Sequence, residues 1–338
     1  MKLWLWSFSV LATAFVLAIL YYMSGLIIFA GRTASDFNRP ELPPCNDWHR
    51  NFTYADRRLA DHNSGIEIPD CEETQAMPRE SHFIENNEGL TIHYLSFPAQ
   101  KDLQQSTPVW LHIHGITSSW LHGARYLEAA DRLGFRLLLI ELQNHGRSAR
   151  HSAGAAWGCR EKWDMLAILE QIKSLYPQAP TMVTATSMGT AVTTQAAIEN
   201  PEAFSQVKAL IYESPVSSPN FILEMWKKTK GFSDGFTQIF WAGLTELAKF
   251  RSPVDFDQCH HELTASARMV EIPTLLQLSM DEHKSAEIRE MFDTYPKHQH
   301  IEVKVYPRGT HSAFWNYQPA EFEADILKFF QQAQQGKN

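Results

Sequence analysis

The chain has 338 residues, of which 44% are hydrophobic and 20% are charged, and its formal net charge is −8. This length supports one large domain with a full hydrophobic core. The acidic balance lacks the basic character of nucleic-acid-binding proteins and argues against such a partner. The four cysteines, at positions 45, 71, 159 and 259, show neither C-x-x-C spacing nor a histidine-flanked zinc pattern, so no metal site is expected. We interpret them as free buried thiols, with a Cys45–Cys71 disulfide as the alternative in an oxidising compartment.

The N-terminal stretch over residues 3–30, LWLWSFSVLATAFVLAILYYMSGLIIFA, has 28 residues and no charge. A helix of about 20 apolar residues spans a bilayer, whereas the apolar core of a cleaved signal peptide has only about 7–15. We therefore expect a single transmembrane helix here, with a buried core helix as the alternative. Lys2 precedes the stretch and Arg32 and Arg39 follow it, so charge leaves the side of the membrane open.

The chain after this stretch divides into a polar part and a patterned part. Residues 31–80 are polar and proline-containing, which predicts a linker or irregular N-terminal extension. From residue 81 to residue 338 apolar runs alternate with helical patterns, which predicts one domain. An insert within this domain is expected at about 215–258.

The elements predicted in the domain begin with a β-hairpin over 81–97, where two alternating runs flank Asn86 to Gly89. Short apolar runs predict strands, and amphipathic or capped segments predict helices. The strands are expected at 108–115, 135–142, 181–185, 207–214, 273–280 and 301–306, and the helices at 126–134, 161–176, 188–200 and 321–333. This alternation predicts a mostly parallel central sheet covered by helices on both faces. In such sheets the functional residues lie at the carboxyl ends of the strands.

Ser187 lies in the stretch MVTATSMGTAV, where a predicted strand gives way to a predicted helix. A serine hydroxyl is a weak nucleophile that needs a neighbouring base and access to substrate. A sharp strand-to-helix turn provides that access, but it crowds the backbone and requires small residues two before and two after the serine, here Ala185 and Gly189. The same turn directs the Met188 N–H, at the start of the helix, towards a developing oxyanion.

The segment from Ala185 to Gly189 resembles the nucleophile elbow G-x-S-x-G of the α/β-hydrolase family, with alanine at the first small position. The alternative is an ordinary serine at a helix N-cap. Three further features follow in the order that the family requires, and the resemblance covers roughly residues 81–335. It implies the α/β-hydrolase fold, a helical cap in the insert, and chemistry without a metal or organic cofactor.

The first of these features is His114-Gly115 in WLHIHGITSSW. It resembles the oxyanion element of the family, in which the residue after the glycine supplies a second backbone N–H. The resemblance therefore assigns this donor to Ile116. The side chain of His114 is interpreted as structural, because the glycine and the backbone carry the function of this element.

The second feature is QNHGRSA, residues 143–149, after the next predicted strand. It resembles the G-H-G-x-S turn common in these enzymes, with Asn144 at the first glycine position. We interpret His145 and Arg147 as structural residues of this turn, with a catalytic His145 as the minor alternative.

The third feature is Gly309-Thr310-His311, after the last predicted strand. It matches the position of the base histidine in the family. Imidazole titrates near neutral pH, so His311 is suited to take the serine proton and return it to the leaving group.

The acid that completes the resemblance should follow the strand at 273–280, where Asp281 and Glu282 are adjacent. Asp281 is preferred because aspartate is commoner in this role, whereas Glu282 would be in register if Ser279 occupied the glycine of the family's G-x-x-D pattern. Either carboxylate would orient His311. Glu213, at the end of the preceding strand, is a third alternative.

The insert contains the aromatic-rich helical segment NFILEMWKKTKGFSDGFTQIFWAGLTELAKF over 220–250. These aromatic residues fit either an apolar acyl or lipid pocket or the packing of a cap against the core. Taken together, the motifs predict a membrane-anchored serine hydrolase that cleaves small-molecule or lipid-like carboxylic esters or thioesters. The alternatives are a peptide hydrolase similar to aminopeptidases, suggested by SPVDFD at 252–257, an acyltransferase, and a non-catalytic binding protein of the same fold.

Overall fold

The structure is a computed structural model that describes residues 13–24, 72, 76–98, 104–116, 118–216, 234–251, 272–280, 300–309 and 311–335. Within these residues the chain forms an eight-stranded sheet with the order β1-β2-β4-β3-β5-β6-β7-β8. The strands are β1 (Glu80–Glu85), β2 (Thr91–Phe97), β3 (Val109–Ile113), β4 (Arg136–Glu141), β5 (Thr181–Thr186), β6 (Val207–Glu213), β7 (Thr274–Ser279) and β8 (Ile301–Tyr306). β2 pairs antiparallel with β1 and β4, and the remaining pairs are parallel.

Six α-helices in the described residues accompany this sheet. They are α1 (13–24), α2 (Leu127–Leu133), α3 (Lys162–Leu175), α4 (Met188–Glu199), α5 (Asp234–Arg251) and α6 (Pro319–Gln334). Short 3-10 helices cover Trp120–Tyr126, Pro201–Phe204 and Phe314–Tyr317. α3 and α4 contribute to one buried apolar cluster, and α2 and α6 contribute to a second. Because strands of the sheet contribute side chains to both clusters, its two faces are both covered, as the sequence predicted.

The central strands consist of continuous apolar runs because both of their faces are buried. β4 reads RLLLIE and β5 reads TMVTAT, and every residue of both strands is buried. Such runs are typical of parallel strands that are covered by helices. The sheet therefore has a rigid interior whose strand ends can hold functional loops in fixed positions.

The hairpin of β1 and β2 closes through a turn that its sequence encodes. The Asn86 side chain accepts hydrogen bonds from the N–H groups of Glu88 and Leu90, at 2.9 and 3.0 Å. Gly89 has a φ of 74°, in the left-handed region that glycine adopts readily. The predicted hairpin is confirmed, and it adds two antiparallel strands to one edge of the sheet.

The predicted boundaries of the regular elements agree with the structure to within a few residues. The 3-10 helix at Trp120–Tyr126 was not expected from the sequence pattern. The last helix begins at Pro319, before the predicted start at residue 321, because proline is well suited to the first turn of a helix. The predicted α/β architecture with a mostly parallel sheet is confirmed.

The predicted transmembrane segment is described only in part, as α1. Among the residues that the structure describes, no helix combines the length and apolar character needed to cross a bilayer. The rest of the predicted span at 3–30, and most of the predicted extension at 31–80, lie outside the described residues. Within α1, the buried Leu20 packs against Leu244 of α5.

Cys159 lies between the sheet and α3, and it is disulfide-bonded. The interpretation of the cysteines as free thiols is therefore wrong for this residue. Disulfide formation depends on which chain segments meet in the fold, and residue spacing does not encode this. Cys45, Cys71 and Cys259 lie outside the described residues, so the Cys45–Cys71 alternative stays a prediction.

Candidate active site

Ser187 occupies a sharp turn between β5 and α4. Its backbone angles are φ 52° and ψ −121°, in a region that residues other than glycine rarely adopt. The turn is held by the Ser187 N–H, which donates to the Glu213 carbonyl at 3.0 Å. The Thr190 hydroxyl donates to the Ser187 carbonyl at 2.7 Å. Strained backbone that is held in this way is concentrated at functional sites, and it supports a functional role for this serine.

The small residues flanking Ser187 satisfy the close approach of backbone to backbone. A Cβ atom at Gly189 would lie 2.4 Å from the Ile113 carbonyl oxygen and 2.9 Å from that of His114. Ala185 is completely buried within β5. Glycine is thus required after the serine, whereas the position before it accommodates a methyl group.

His311 follows β8 and lies directly beside this serine. Its Nε2 atom is 2.8 Å from Ser187 Oγ, which is the hydrogen-bond distance expected of a nucleophile and its base. Ser187 is 9% exposed. The next residue, Ser312, has a φ of 60°, and its N–H donates to the Ser214 hydroxyl at 2.7 Å. This hydrogen bond fastens the histidine loop to the end of β6.

The turn after β3 reaches the same serine from its other side. A Cβ atom at Gly115 would lie 3.0 Å from Ser187 Cβ and 3.6 Å from its Oγ. Ile116 follows immediately and is half-buried. Met188 is the first residue of α4, where helix N–H groups lack intrahelical acceptors. The backbone N–H groups of Ile116 and Met188 therefore belong to segments that meet at Ser187.

His114 holds this turn through both of its ring nitrogens. Nε2 accepts the Leu142 N–H at 3.1 Å, so the single proton of the neutral ring lies on Nδ1. Nδ1 then donates to the Gly115 carbonyl at 2.7 Å. Burial lowers the pKa of His114 to about 3, which keeps the ring neutral at physiological pH. These contacts agree with the structural role that the sequence suggested.

The other residues singled out beside this turn do not contact Ser187. His145 is buried, its Nδ1 bonds the Gln143 carbonyl at 3.0 Å, and burial lowers its pKa. The Arg147 side chain donates to the hydroxyl of Ser81. Both residues therefore have contacts that fit a structural role in the turn.

A chain of buried side chains that the sequence analysis missed leads towards the histidine loop. The Trp110 N–H, which can only donate, bonds Thr184 Oγ1 at 3.0 Å. Thr184 Oγ1 lies 3.1 Å from Nδ1 of His112. His112 Nε2 lies 3.3 Å from Nδ1 of His122.

The chain ends beside His311, because His122 bonds the backbone of Ser312. The Ser312 carbonyl can only accept, so the proton of His122 faces it and His112 must donate to His122. Burial, aided by the charge of Arg125, lowers the pKa of both histidines well below its usual range and keeps them neutral. The only sequence signal for this arrangement is a histidine within an apolar strand.

Glu213, the third alternative for the acid, is engaged elsewhere. Its carboxylate forms a buried ion pair with Arg125, and it accepts the Thr186 hydroxyl at 2.8 Å. These contacts contradict its assignment as the partner of His311, because the carboxylate already neutralises a buried guanidinium. Asp281 and Glu282 lie outside the described residues, so both stay predictions for the acid.

Comparison with known proteins identifies the architecture around this site. A family model described as alpha/beta hydrolase fold matches residues 108–253, which include Gly115 and Ser187. The chain has the alpha/beta hydrolase fold. No curated protein sequence is significantly similar to the chain.

Solved structures with this fold include esterases and a peptidase. An esterase from Pyrococcus furiosus has 16% identity and a TM-score of 0.59, over 79% of this chain and 96% of that chain. An esterase from Exiguobacterium antarcticum has 13% identity and a TM-score of 0.51, over 74% and 98%. A proline iminopeptidase from Mycobacterium smegmatis has 12% identity and a TM-score of 0.54, over 77% and 100%. At these identities the similarity is evidence of fold, and reaction and substrate must be argued from the site.

Proposed function

We propose that the protein is a serine hydrolase that cleaves carboxylic esters through Ser187 and His311. The observation that carries this proposal is the 2.8 Å contact between His311 Nε2 and Ser187 Oγ at a strained strand-to-helix turn. The turn exposes the serine oxygen to substrate, and the imidazole is positioned to remove its proton. Esterases among the proteins of similar fold make an ester the first substrate to test.

The proposed reaction begins when Ser187 Oγ attacks the ester carbonyl carbon and its proton passes to His311 Nε2. The negative charge on the former carbonyl oxygen is stabilised by the N–H groups of Met188 and Ile116. His311 then protonates the departing alcohol, which leaves an acyl group on the serine. Water, activated by the same imidazole, attacks this acyl group and releases the carboxylic acid.

We propose Asp281 as the acid that orients His311, with Glu282 as the alternative. β7 ends at Ser279 and lies beside β8 in the sheet, and His311 follows β8. A carboxylate just after β7 is therefore close to the histidine loop. Asp281→Asn should lower kcat strongly and Glu282→Gln should not. The reverse result would assign the role to Glu282.

A fluorophosphonate probe tests the nucleophile directly. Wild-type protein should be labelled at Ser187 within minutes, and Ser187→Ala should lose this adduct. Ser205→Ala, a change at an exposed serine far along the chain from the turn, serves as the matched control and should label like wild type. Failure of folded wild-type protein to react would favour a non-catalytic binding protein.

A substrate panel tests the ester assignment. We expect hydrolysis of p-nitrophenyl esters, with a preference for longer acyl chains if lipid-like esters are the natural class. Cleavage of aminoacyl-nitroanilides alone would instead identify a peptide hydrolase. Transfer of the acyl group to an added alcohol in preference to water would identify an acyltransferase.

We also propose that the apolar segment over 3–30 anchors the protein in a membrane as a single span. The described part of this segment, α1, exposes large apolar side chains at Phe15, Val16, Leu17, Ile19, Tyr21 and Tyr22. Exposure of such surface to water is unfavourable by about 25 cal/mol per Å², and a bilayer would remove this cost. Leu20 contacts Leu244 of α5, so the anchor would hold the insert beside the membrane, where lipid-like esters are available.

Extraction of cell membranes tests this anchor. The full chain should resist extraction with alkaline carbonate, and a Leu17→Asp/Ile19→Asp variant should be released. A Gln331→Asp change on the exposed surface of α6 is the control and should remain in the membrane. Release of the wild-type chain would contradict the anchor without affecting the proposed ester hydrolysis.

The disulfide at Cys159 supports the location of the catalytic domain in an oxidising compartment, such as the periplasm, the endoplasmic reticulum lumen or the cell exterior. Alkylation of intact cells followed by mass analysis tests this location. Cys159 should be protected from alkylation before reduction. Complete alkylation without reductant would contradict it.

A further inference from the structure

A second group of serine, histidine and carboxylate lies on the other side of the described sheet edge, in the hairpin. Ser81 of β1 has its Oγ 2.9 Å from Nε2 of His93 in β2. Nδ1 of His93 lies 2.8 Å from the Glu141 carboxylate, at the end of β4. His93 and Glu141 are each 1% exposed in their side chains, whereas Ser81 is exposed. Three strands thus align a surface hydroxyl with a buried imidazole and a buried carboxylate.

The contacts assign the proton positions in this group. The Glu141 carboxylate accepts, so His93 Nδ1 donates to it. The Arg147 guanidinium, which can only donate, bonds Ser81 Oγ at 3.0 Å. Ser81 can therefore direct its own proton to the unprotonated Nε2 of His93. This is the polarity that a nucleophilic serine requires of its base.

The surroundings of Glu141 fix the carboxylate in place and keep it a strong partner for His93. Oε2 also accepts the Arg147 N–H at 2.7 Å, and within the described residues Oε1 has no hydrogen-bond partner. A Cβ atom at Gly146 would lie 1.9 Å from Oε1, so only glycine is accommodated there. A buried carboxylate with so little compensation stabilises the imidazolium that forms when His93 takes up a proton.

The surface around Ser81 offers contacts for a small substrate. Arg147 has five N–H groups, and they remain close to any oxygen that develops charge beside Ser81. Phe83, two residues along β1, is 50% exposed and lies on the same face of the strand as Ser81. The Arg147 guanidinium is 5.1 Å from the centre of the Phe83 ring. The site therefore combines a nucleophile, a cationic donor and an exposed aromatic ring.

We propose that Ser81, His93 and Glu141 form a second reactive serine site that accepts acyl groups from small activated esters. Ser81 Oγ forms a bond to the ester carbonyl carbon, and its proton passes to His93 Nε2. The bond from this carbon to the leaving oxygen breaks, and the leaving alkoxide takes the proton from His93. An acyl group remains on Ser81 until water hydrolyses it. This site is independent of the reaction proposed at Ser187.

Labelling in a Ser187→Ala background tests the second site. The full-length variant is treated with a fluorophosphonate, and separately with p-nitrophenyl acetate, and adducts are located by peptide mass mapping. We expect one adduct on Ser81, formed about 10²-fold more slowly than the Ser187 adduct of wild type, because the guanidinium replaces a pair of fixed backbone N–H donors. Ser187→Ala/Ser81→Ala should lose it.

Two controls separate this reactivity from background and from misfolding. Ser187→Ala/Ser205→Ala should still be labelled on Ser81, because Ser205 is an exposed serine without the histidine. Ser187→Ala/His93→Gln should lose labelling while its circular dichroism spectrum remains native. Absence of a Ser81 adduct in the folded Ser187→Ala protein would overturn the proposal, and so would labelling that persists in folded His93→Gln.

Discussion

The two serine–histidine pairs of this protein differ far more in their backbone than in their side chains. The distances from hydroxyl to imidazole are 2.8 Å at Ser187 and 2.9 Å at Ser81. Ser187, however, lies at the carboxyl end of a central parallel strand, with a φ of 52° and the start of α4 directly behind it. Ser81 lies within the extended backbone of an edge strand. Only the first pair is therefore built into converging backbone segments that can stabilise an oxyanion.

The two pairs also differ in how the histidine is held. His93 is part of a strand and pairs with a buried carboxylate. His311 is in a loop, and the neighbouring residue of that loop is bonded by Ser214 and by the buried His122. The comparison teaches that a hydroxyl aligned with an imidazole is a local feature that many surfaces can form. A fast enzyme needs, in addition, preorganised backbone donors.

The largest expected effect is the loss of activity in Ser187→Ala. If the two serines were equivalent, the variant would retain much of its ester hydrolysis. We expect kcat/KM for a p-nitrophenyl ester to fall by about 10³-fold or more, because the reaction loses its principal nucleophile. The matched Ser81→Ala variant should retain nearly full activity. Steady-state kinetics of the two variants decide between these outcomes.

The contribution of the backbone is isolated by Gly115→Ala. The new Cβ atom would lie 3.0 Å from Ser187 Cβ and 3.2 Å from the Thr186 carbonyl oxygen, so the turn that carries the Ile116 N–H must shift. We expect kcat to fall by about 10²-fold with little change in KM. Labelling of Ser81 should be unaffected.

Gly235→Ala is the control for this substitution, because its Cβ atom would have no neighbour within 4 Å. It should leave kcat unchanged. Full activity in Gly115→Ala would show that the turn after β3 does not contribute an oxyanion donor.

The neutral histidine that fixes the same turn predicts a dependence of stability on pH. Burial lowers the pKa of His114 to about 3 in the folded protein, against about 6.5 in the unfolded chain. Between these values the unfolded chain binds a proton that the folded chain does not, so the stability contribution is complete above pH 6.5 and falls as the pH falls towards 3.

Urea unfolding of wild type and His114→Gln at pH 7 and pH 5 measures this contribution. The difference in unfolding free energy between the two proteins should shrink by about 2 kcal/mol at the lower pH, because only wild type loses the contribution. The other buried titratable groups are common to both proteins and cancel in the difference. A difference that is independent of pH would show that His114 titrates alike in both states.

The smallest expected effect concerns the support of the histidine loop by His122. His122→Phe removes the hydrogen bond to Ser312, so His311 should be less well positioned, and we expect kcat to fall about tenfold with KM nearly unchanged. His122→Gln retains an N–H donor and should recover most of this loss. Equal losses in Phe and Gln variants of the same stability would indicate a packing role instead.

The sequence pattern was a reliable guide to elements whose side chains are buried in a regular way. The central strands are continuous apolar runs and α3 and α4 are capped or amphipathic, so local periodicity predicted their type and approximate bounds. The flanking small residues likewise indicated the turn at Ser187. The 3-10 helix at Trp120–Tyr126 escaped this reasoning, because its residues are buried by contacts distant in sequence rather than by a periodic pattern.

The sequence by itself determined the alternation of strands and helices and the position of Ser187 in a crowded turn, because both depend on neighbouring residues and their size. Only the tertiary structure decided that His311 lies against this serine, that Glu213 belongs to Arg125, and that Cys159 is disulfide-bonded. It also brought together Ser81, His93 and Glu141 from three strands. The physical reason is that such contacts join residues far apart along the chain, and their geometry is set by sheet order and register, which no local pattern specifies.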